Sequence, residues 1–446
     1  MKERERNRWL HEQLAGWERE GIVQSDQAAA LRGRYPLGAD DSRFGVMLFG
    51  GIGAVVLGLG VILMFAYNWA EMSKISKLAV IFGALLATHG VGYGLRYFWS
   101  RPILGDVFGL LGTMFFGAAI FLIAQIYHIS SHYPNAFWYW GLGAMAMAWA
   151  VPSLAQGLLA NVVLTIWAGM ELCGFHEPML LRPLAVIIAS GALAWHLRSK
   201  VLMLASGVSA YFIVCFLFAY RADTLFPYVI LLLGGLYAAK AEGLALYGDT
   251  AFPAAGAVLS KLAVAGLLFA SYLLGFDWFH DDLYRELRQS GGMAEYVSWA
   301  LAALSILSLL GVMAWGQRRG RGSWRRLLWP LLATLVATMC MLGGYLGLGG
   351  DGDGVTTAKT LVFHALYVIP VLMILWTSCD DGDARQVLNF ALLLALWVFT
   401  RYCDWFENLF TRGVAFVLFG AFLFYLSIRY HRRKKLLTAE GGSEHA

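Results

Sequence analysis

The sequence predicts an all-α fold, a polytopic integral membrane bundle of about 14 transmembrane helices with a short N-terminal cytoplasmic helical hairpin. Of its 446 residues, 59% are hydrophobic and 14% are charged, whereas about 25% charged residues is usual in soluble domains. Apolar runs follow one another from Phe44 onward, and most reach the roughly 17–25 residues that a membrane-spanning helix needs. Basic residues stand in short patches beside these runs. This composition excludes a soluble enzyme, a disordered chain and a disulfide scaffold.

The N-terminal segment, residues 1–43, is polar and is predicted to form two helices. Apolar residues between Trp9 and Trp17 recur at helical spacing and give one apolar stripe. Gly21 is expected to end this helix, and Ser25 and Asp26 are candidate caps of a second one. The first residues are charged and contain no apolar core, so no cleavable signal peptide is predicted.

The apolar runs define the predicted spans and, with them, three regions of the chain. Residues 1–43 are the predicted cytoplasmic amphipathic hairpin, 44–428 the multi-span transmembrane domain, and 429–446 a basic cytoplasmic tail. The predicted spans are 44–67, 78–95, 103–127, 136–152, 154–175, 183–197, 200–220, 225–239, 252–276, 293–315, 327–348, 358–378, 386–402 and 405–428.

Charge placement predicts the orientation of these spans. If the N-terminus is cytoplasmic, most of the 34 Lys and Arg fall on the inner side. They include the arginine cluster between Arg318 and Arg326 and the basic C-terminal tail. Such a bias is typical of cytoplasmic loops and favours an even number of spans with both ends inside. The expected location is therefore the cell inner membrane, with both termini cytoplasmic.

Several segments look like those of a known family. The first two spans read GAVVLGLGVILMFAYNWAEMSKISKLAVIFGALLATH, the third reads LLGTMFFGAAIFLIAQIYHI, and the N-terminal hairpin reads WLHEQLAGWEREGIVQSDQAAAL. With the C-terminal FTRYCDWFENLFTRGVAFVLFGAFLFYLSIRYHRRKKL, the chain resembles a bacterial family of predicted membrane proteins catalogued as domain of unknown function 2157. The resemblance covers about residues 8–170 and the C-terminal end. It implies a membrane location and implies no particular reaction or substrate.

Polar residues from distant parts of the chain fall at one predicted depth, at the outer ends of spans. Because polar and ionisable groups in the membrane are expensive, they are candidate functional residues, and an arginine among them can hold a carboxylate or phosphate in a bidentate fork. We therefore predict an outward-facing, substrate-binding pocket. Its candidate residues are Asn68, Trp69, Gln125, Tyr127, Glu171, Arg401, Tyr402 and Asp404.

Structural explanations of the same residues remain open. Trp69 and Tyr402 are equally typical of interfacial anchors. Arg401 and Asp404 lie three residues apart, share a helix face and can form an ion pair that only joins two spans.

Among the other ionisable residues within predicted spans, three are further candidates: Asp106, Lys261 and His364. Asp106 is close to the inner end of its span and is expected to be hydrated. Lys261 either belongs to a proton or ion path or lies outside a span that begins later. His364 is interpreted as a histidine that bonds between helices or as a proton carrier.

Other motifs give no signal for a cofactor, a metal or a nucleic acid. There is no phosphate-binding glycine loop with its lysine, and the pair His128 and His132 is a weak metal signal. The five cysteines define no disulfide framework, and whether Cys173 and Cys403 pair is open. The only predicted partner is the lipid bilayer, and protein partners are unknown.

Three functional hypotheses are therefore open. The first is a protein that binds or translocates a polar or amphiphilic solute at the outward-facing site. The second is an integral membrane enzyme that acts on a lipid-linked substrate at the outer leaflet. The third is a non-catalytic scaffold or sensor that uses residues 1–43 as its cytoplasmic reader.

Overall fold

The structure is a computed structural model, and every regular element in the part it describes is helical. The described residues are 3–35, 56, 72–129, 132–175, 179–218, 223–248, 251–276, 278–281, 293–320, 324–346, 353–405, 417, 420–422, 425 and 429. The chain divides into two compact units, unit 1 at Met1–Ala160 and unit 2 at Asn161–Ala446.

The described helices, in chain order, are α1 (Glu3–Arg19), α2 (Ser25–Arg34), α3 (Lys74–Tyr97), α4 (Pro102–Ile126), α5 (Pro134–Ala150), α6 (Leu154–Gly169, continued by a π-helical turn at Met170–Gly174), α7 (Leu181–His196), α8 (Lys200–Phe218), α9 (Phe226–Tyr247, preceded by a 3-10 turn at Asp223–Leu225), α10 (Ala254–Leu273), α11 (Trp278–Asp281), α12 (Met293–Arg318), α13 (Trp324–Leu346), α14 (Asp353–Asp380) and α15 (Ala384–Trp405).

Each predicted span between residues 78 and 402 coincides with a helix. Among the described residues, nine helices are long and apolar enough to cross a membrane. The helices α5 and α7, with 17 and 16 residues, and α15 also occupy predicted spans but are not among the nine. The predicted spans 44–67 and 405–428 lie outside the continuously described ranges. The chain is thus a helical, multi-pass membrane protein, and the total of 14 spans stays a prediction.

In the N-terminal segment, α1 and α2 contact each other through both apolar and charged groups. Leu14 and Ala28 are fully buried, and Arg32 donates to the Glu18 carboxylate at 2.9 Å. Gly21 adopts a positive φ of 74° in the turn between the helices, a conformation that glycine adopts without strain. The N-cap of α2 is Gln24 rather than Ser25, which is the first helical residue.

In unit 1, α3 and α4 approach closely through glycines. A Cβ on Gly105 would lie 2.8 Å from both the Gly92 carbonyl oxygen and Arg96 Cβ. Beside this contact, Arg96 Nη1 donates to the Asp106 carboxylate at 2.5 Å. Small residues permit such backbone contact between membrane helices, where the hydrophobic effect does not drive association.

In unit 2, α9 is the central helix, and most of its residues are buried. It packs against α8, α10, α12 and α13. The core around it includes Tyr228, Leu232, Leu267 and Phe363. A second core joins α10, α14 and α15 through Leu268, Tyr367 and Leu394, among other residues. The second core continues from Leu268 and Tyr367 along α14 to Cys379, and the first lies at the end of unit 2 where α9 begins and α10 ends.

Candidate functional site

At this end of unit 2, two buried ionisable side chains meet around a glycine turn. Arg401 of α15 and His364 of α14 are only 4% and 5% exposed. A Cβ on Gly275, just after α10, would lie 2.6 Å from His364 Cε1 and 3.2 Å from Arg401 Nη2. The turn therefore requires glycine, because any side chain there would displace the imidazole. We use the name Arg401 cluster for Arg401, His364 and Gly275, together with Phe276 and Trp397, which contact them.

Aromatic side chains contact both of these residues. The Arg401 guanidinium lies 3.7 Å from the centroid of the Phe276 ring, well within the range of a cation–π interaction. Trp397, one turn before Arg401 on α15, donates from Nε1 to His364 Nδ1 at 3.3 Å. In a neutral imidazole this acceptor role places the proton on Nε2.

A second histidine lies at the same end of unit 2. His280 of α11 is 4% exposed, and its ring stacks on Phe363 at 5.6 Å. Its Nε2 is 2.8 Å from the Leu274 carbonyl oxygen, and its Nδ1 is 2.7 Å from the Tyr228 hydroxyl. Because a carbonyl only accepts, Nε2 donates, and in the neutral ring Nδ1 accepts from Tyr228.

Helix lengths and connections bring these residues together. The α10 helix ends at Leu273, and the turn after it lies against His364 and Arg401 at Gly275. The helices α14 and α15 are joined by three residues and are therefore antiparallel, which brings His364 opposite the last turns of α15. The Arg401 cluster is thus assembled from the turn after α10 and from α14 and α15, and α10 is distant from the other two in sequence.

Glu171 occupies a separate buried position in unit 2. It lies in the π-helical turn after α6 and is 1% exposed. Its Oε1 accepts from Trp167 Nε1 at 3.2 Å. In the same turn the Cys173 thiol, which is free, lies 3.9 Å from the Phe216 carbonyl oxygen of α8. π-Helical turns are rare and occur frequently at functional sites.

Of the other six predicted pocket residues, two are exposed and four lie wholly or partly outside the described part of the chain. Gln125 and Tyr127, at the end of α4, are exposed, and Lys74 Nζ lies 5.5 Å from the Tyr127 ring centroid. Asn68 and Trp69 lie outside the described residues. Tyr402 and Asp404 lie in α15, and their side chains are outside the described part, as is that of Cys403. A single pocket that joins all eight residues therefore stays a prediction.

The predicted intramembrane ionisable residues have three different environments. His364 belongs to the Arg401 cluster. Asp106 pairs with Arg96, and both side chains are about a fifth exposed. Lys261 is exposed, although it lies in the middle of α10. No group of three or more potential metal ligands occurs in the described ranges.

Two cavities lie toward the opposite end of unit 2. One, of about 500 Å³, is bounded by α9, α10 and α13 and is lined by Glu242, Ser260 and Arg326 among apolar residues. The other, of about 510 Å³, is lined by Lys240 and Tyr237 and lies on another side of α9. Both volumes are in the range of small-molecule sites.

Sequence reasoning missed His280, Tyr228, Trp397 and Phe276. His280 lies in DWFHDDLYRELRQ, which is predicted to lie on the surface because it is amphipathic. The structure buries its ring instead. Tyr228 and Trp397 are hidden within apolar runs, and only the convergence of four helices shows that their polar atoms face histidines.

Comparisons with known proteins agree with the membrane fold. No curated protein and no solved structure matches the chain. The family match ends before unit 2, so the resemblance of the C-terminal end stays a prediction. Residues 15–157 match the family model DUF2157, described as a predicted membrane protein, which confirms the family resemblance for this region of the chain.

Proposed function

We propose that this protein binds, and translocates, a polar or amphiphilic anion at the Arg401 cluster. The observation that carries this proposal is the meeting of buried Arg401 and His364, from two helices, at the Gly275 turn. Ionisable groups within membrane-spanning segments are costly, and they commonly mark solute or ion pathways. A requirement for packing alone would be met by apolar side chains at these positions.

The chemistry of the cluster favours an anionic group. A guanidinium presents a planar fork of donors that matches carboxylate and phosphate geometry. The Phe276 and Trp397 rings offer apolar surface beside this fork, which suits the hydrophobic part of an amphiphile. His364 lies against the same Gly275 turn as Arg401 and can donate a hydrogen bond to the same anion or carry a proton.

We propose further that the cluster faces the exterior and that both termini are cytoplasmic in a cell inner membrane. Basic residues concentrate at the opposite end of unit 2, in agreement with the positive-inside rule. Arg319 donates to the Leu246 carbonyl oxygen at the end of α9, and Arg429 pairs with Asp380 at the end of α14. The position of Arg429 at this end supports a last span between Trp405 and the basic tail.

The binding proposal is tested by thermal unfolding of the purified full-length protein in dodecyl maltoside. The probes are inorganic phosphate, succinate and octyl phosphate, each compared with chloride at equal ionic strength. We expect at least one of these anions to raise the melting temperature of the wild type, because a ligand that binds the folded state stabilises it. Arg401→Gln is expected to abolish this increase.

The matched control is Arg385→Gln, since Arg385 is exposed at the other end of the same helix. This variant should keep the full response to the anion. The proposal is wrong if none of the three anions stabilises the wild type, or if Arg401→Gln and Arg385→Gln respond alike.

A further inference from the structure

The cavity between α9, α10 and α13 has the composition of a site for the headgroup of a lipid. Most of its wall is apolar, with contributions from Leu244, Val264 and Leu327. Its polar side chains are Glu242, Ser260 and Arg326. At about 500 Å³ it is smaller than a whole phospholipid. It can take a headgroup and the adjoining part of one acyl chain.

Glu242 and Arg326 give this crevice one charge of each sign. Arg326 Nη1 lies 3.6 Å from Glu242 Oε2, a separation longer than a normal hydrogen bond. The Arg326 side chain is 77% exposed, whereas that of Glu242 is 12% exposed. The carboxylate is therefore fixed within the crevice wall, and the guanidinium reaches outward over the opening.

Pro330 removes one helical hydrogen bond from the same wall. It lies inside α13 and lines the crevice. Proline has no N–H, so it cannot donate the helical hydrogen bond to the carbonyl of Arg326, four residues earlier. The Arg326 carbonyl oxygen therefore lacks this one helical hydrogen bond. The neighbouring Trp329 ring is held by its bond to the Leu366 carbonyl oxygen at 3.1 Å.

We infer that this crevice binds a phospholipid whose headgroup carries both a primary ammonium and a phosphate, as in phosphatidylethanolamine. The ammonium is placed at Glu242 and the Arg326 carbonyl, the phosphate at the Arg326 guanidinium, and the acyl chain along the apolar wall. A primary ammonium has three N–H donors for these acceptors. A phosphatidylcholine headgroup has none, and phosphatidylglycerol has no cation.

The position of Arg326 favours this assignment over a free solute. It lies in the first turn of α13, at the basic end of unit 2, and its guanidinium lies over the opening of the crevice. Basic pockets between membrane helices are known to bind lipid headgroups at the membrane surface. This inference concerns a different end of unit 2 from the Arg401 cluster and does not depend on the proposed function.

The test is thermal unfolding of the full-length protein in dodecyl maltoside, titrated with dioleoyl-phosphatidylethanolamine, dioleoyl-phosphatidylcholine or dioleoyl-phosphatidylglycerol. We expect the concentration for half-maximal stabilisation to be about three- to fivefold lower for the ethanolamine lipid, the ratio that a partly exposed charge contact supplies. Soluble phosphoethanolamine at equal concentration should give a much smaller effect, because it has no acyl chain.

Two crevice variants and two control variants assign this preference to the crevice. Glu242→Gln should make the ethanolamine and choline lipids equal, and Arg326→Gln should weaken all three lipids, because each carries the phosphate that the guanidinium binds. Arg325→Gln removes the same charge one position away, at a residue that does not line the crevice, and should leave all three lipids unchanged. Arg401→Gln should also keep the ethanolamine preference.

Two results would overturn the inference. The first is equal stabilisation of the wild type by the three lipids, or by phosphoethanolamine alone. The second is a Glu242→Gln variant with the same preference as Arg325→Gln. Each variant's melting temperature without lipid is measured first, so that a loss of folding is not taken for a loss of binding.

Discussion

At the residue scale, hydrogen bonds hold a buried histidine in the apolar interior of unit 2. His280 is held through both ring nitrogens, by the Tyr228 hydroxyl and the Leu274 carbonyl. Buried polar groups are costly unless they are hydrogen-bonded. These two bonds therefore fix the orientation of the ring and also fix the turn that carries Gly275.

Tyr228→Phe tests this arrangement. The substitution keeps the ring but removes the donor to His280 Nδ1, and it leaves a buried acceptor without that bond. We expect stability to fall by about 1–3 kcal/mol, measured as a lower melting temperature in dodecyl maltoside. Tyr296→Phe is the control, because the Tyr296 side chain is 75% exposed, and it should melt with the wild type. Equal melting of Tyr228→Phe and the wild type would contradict a structural role for this bond.

Sequence alone predicts some of these residues and not others. Arg401 and His364 stand out because charged or titratable groups are rare within long apolar runs. Phe276 and Tyr228 do not stand out, since aromatic residues are abundant in every span. Their role follows from the position of the Gly275 turn, which depends on contacts between helices that no local pattern encodes.

At the element scale, hydrophobic runs predicted helices well. The connection at Val151–Ser153 is only three residues, yet α5 ends at Ala150 and α6 begins at Leu154, as the pattern indicates. The predicted span 225–239 is longer in the structure, because α9 continues to Tyr247 through Lys240 and Glu242. These two charges interrupt the apolar run but lie in the last turns of the helix.

Close packing of α3 and α4 gives a prediction at this scale. Gly105→Ala places a Cβ 2.8 Å from the Gly92 carbonyl and Arg96 Cβ. The helices must therefore separate, and we expect a loss of about 1–3 kcal/mol, seen as a lower melting temperature. Gly83→Ala in α3 meets nothing within 4 Å. It should be neutral or more stable by up to about 1 kcal/mol, because alanine has the higher helix propensity.

If Gly105→Ala melted no lower than Gly83→Ala, the glycine contact between α3 and α4 would not contribute to stability. This pair of variants makes the same chemical change in two neighbouring helices. The difference between them therefore reports the contact itself, apart from the intrinsic helix propensity of alanine.

At the scale of the whole molecule, unit 2 has two chemically different ends. The Arg401 cluster lies where α9 begins, and the two cavities and most of the described arginines of unit 2 lie toward the end of α9. Charge counting along the sequence gives an expected orientation for these ends, because it requires only the order of spans, and this orientation stays a prediction. It did not predict the cavities, which depend on how three helices pack.

The most direct test of the account is the labelling of a cysteine placed beside Arg401. In a chain whose five native cysteines are replaced, Phe276→Cys is treated in intact cells with the membrane-impermeant anion sulfonatoethyl methanethiosulfonate. Tyr345→Cys is the control, since Tyr345 is 48% exposed at the predicted outer end of α13. We expect both to be labelled from outside, and only Phe276→Cys to be protected by phosphate, succinate or octyl phosphate. Labelling of Phe276→Cys only from the cytoplasmic side, or labelling that none of these anions slows, would contradict an outward-facing anion site.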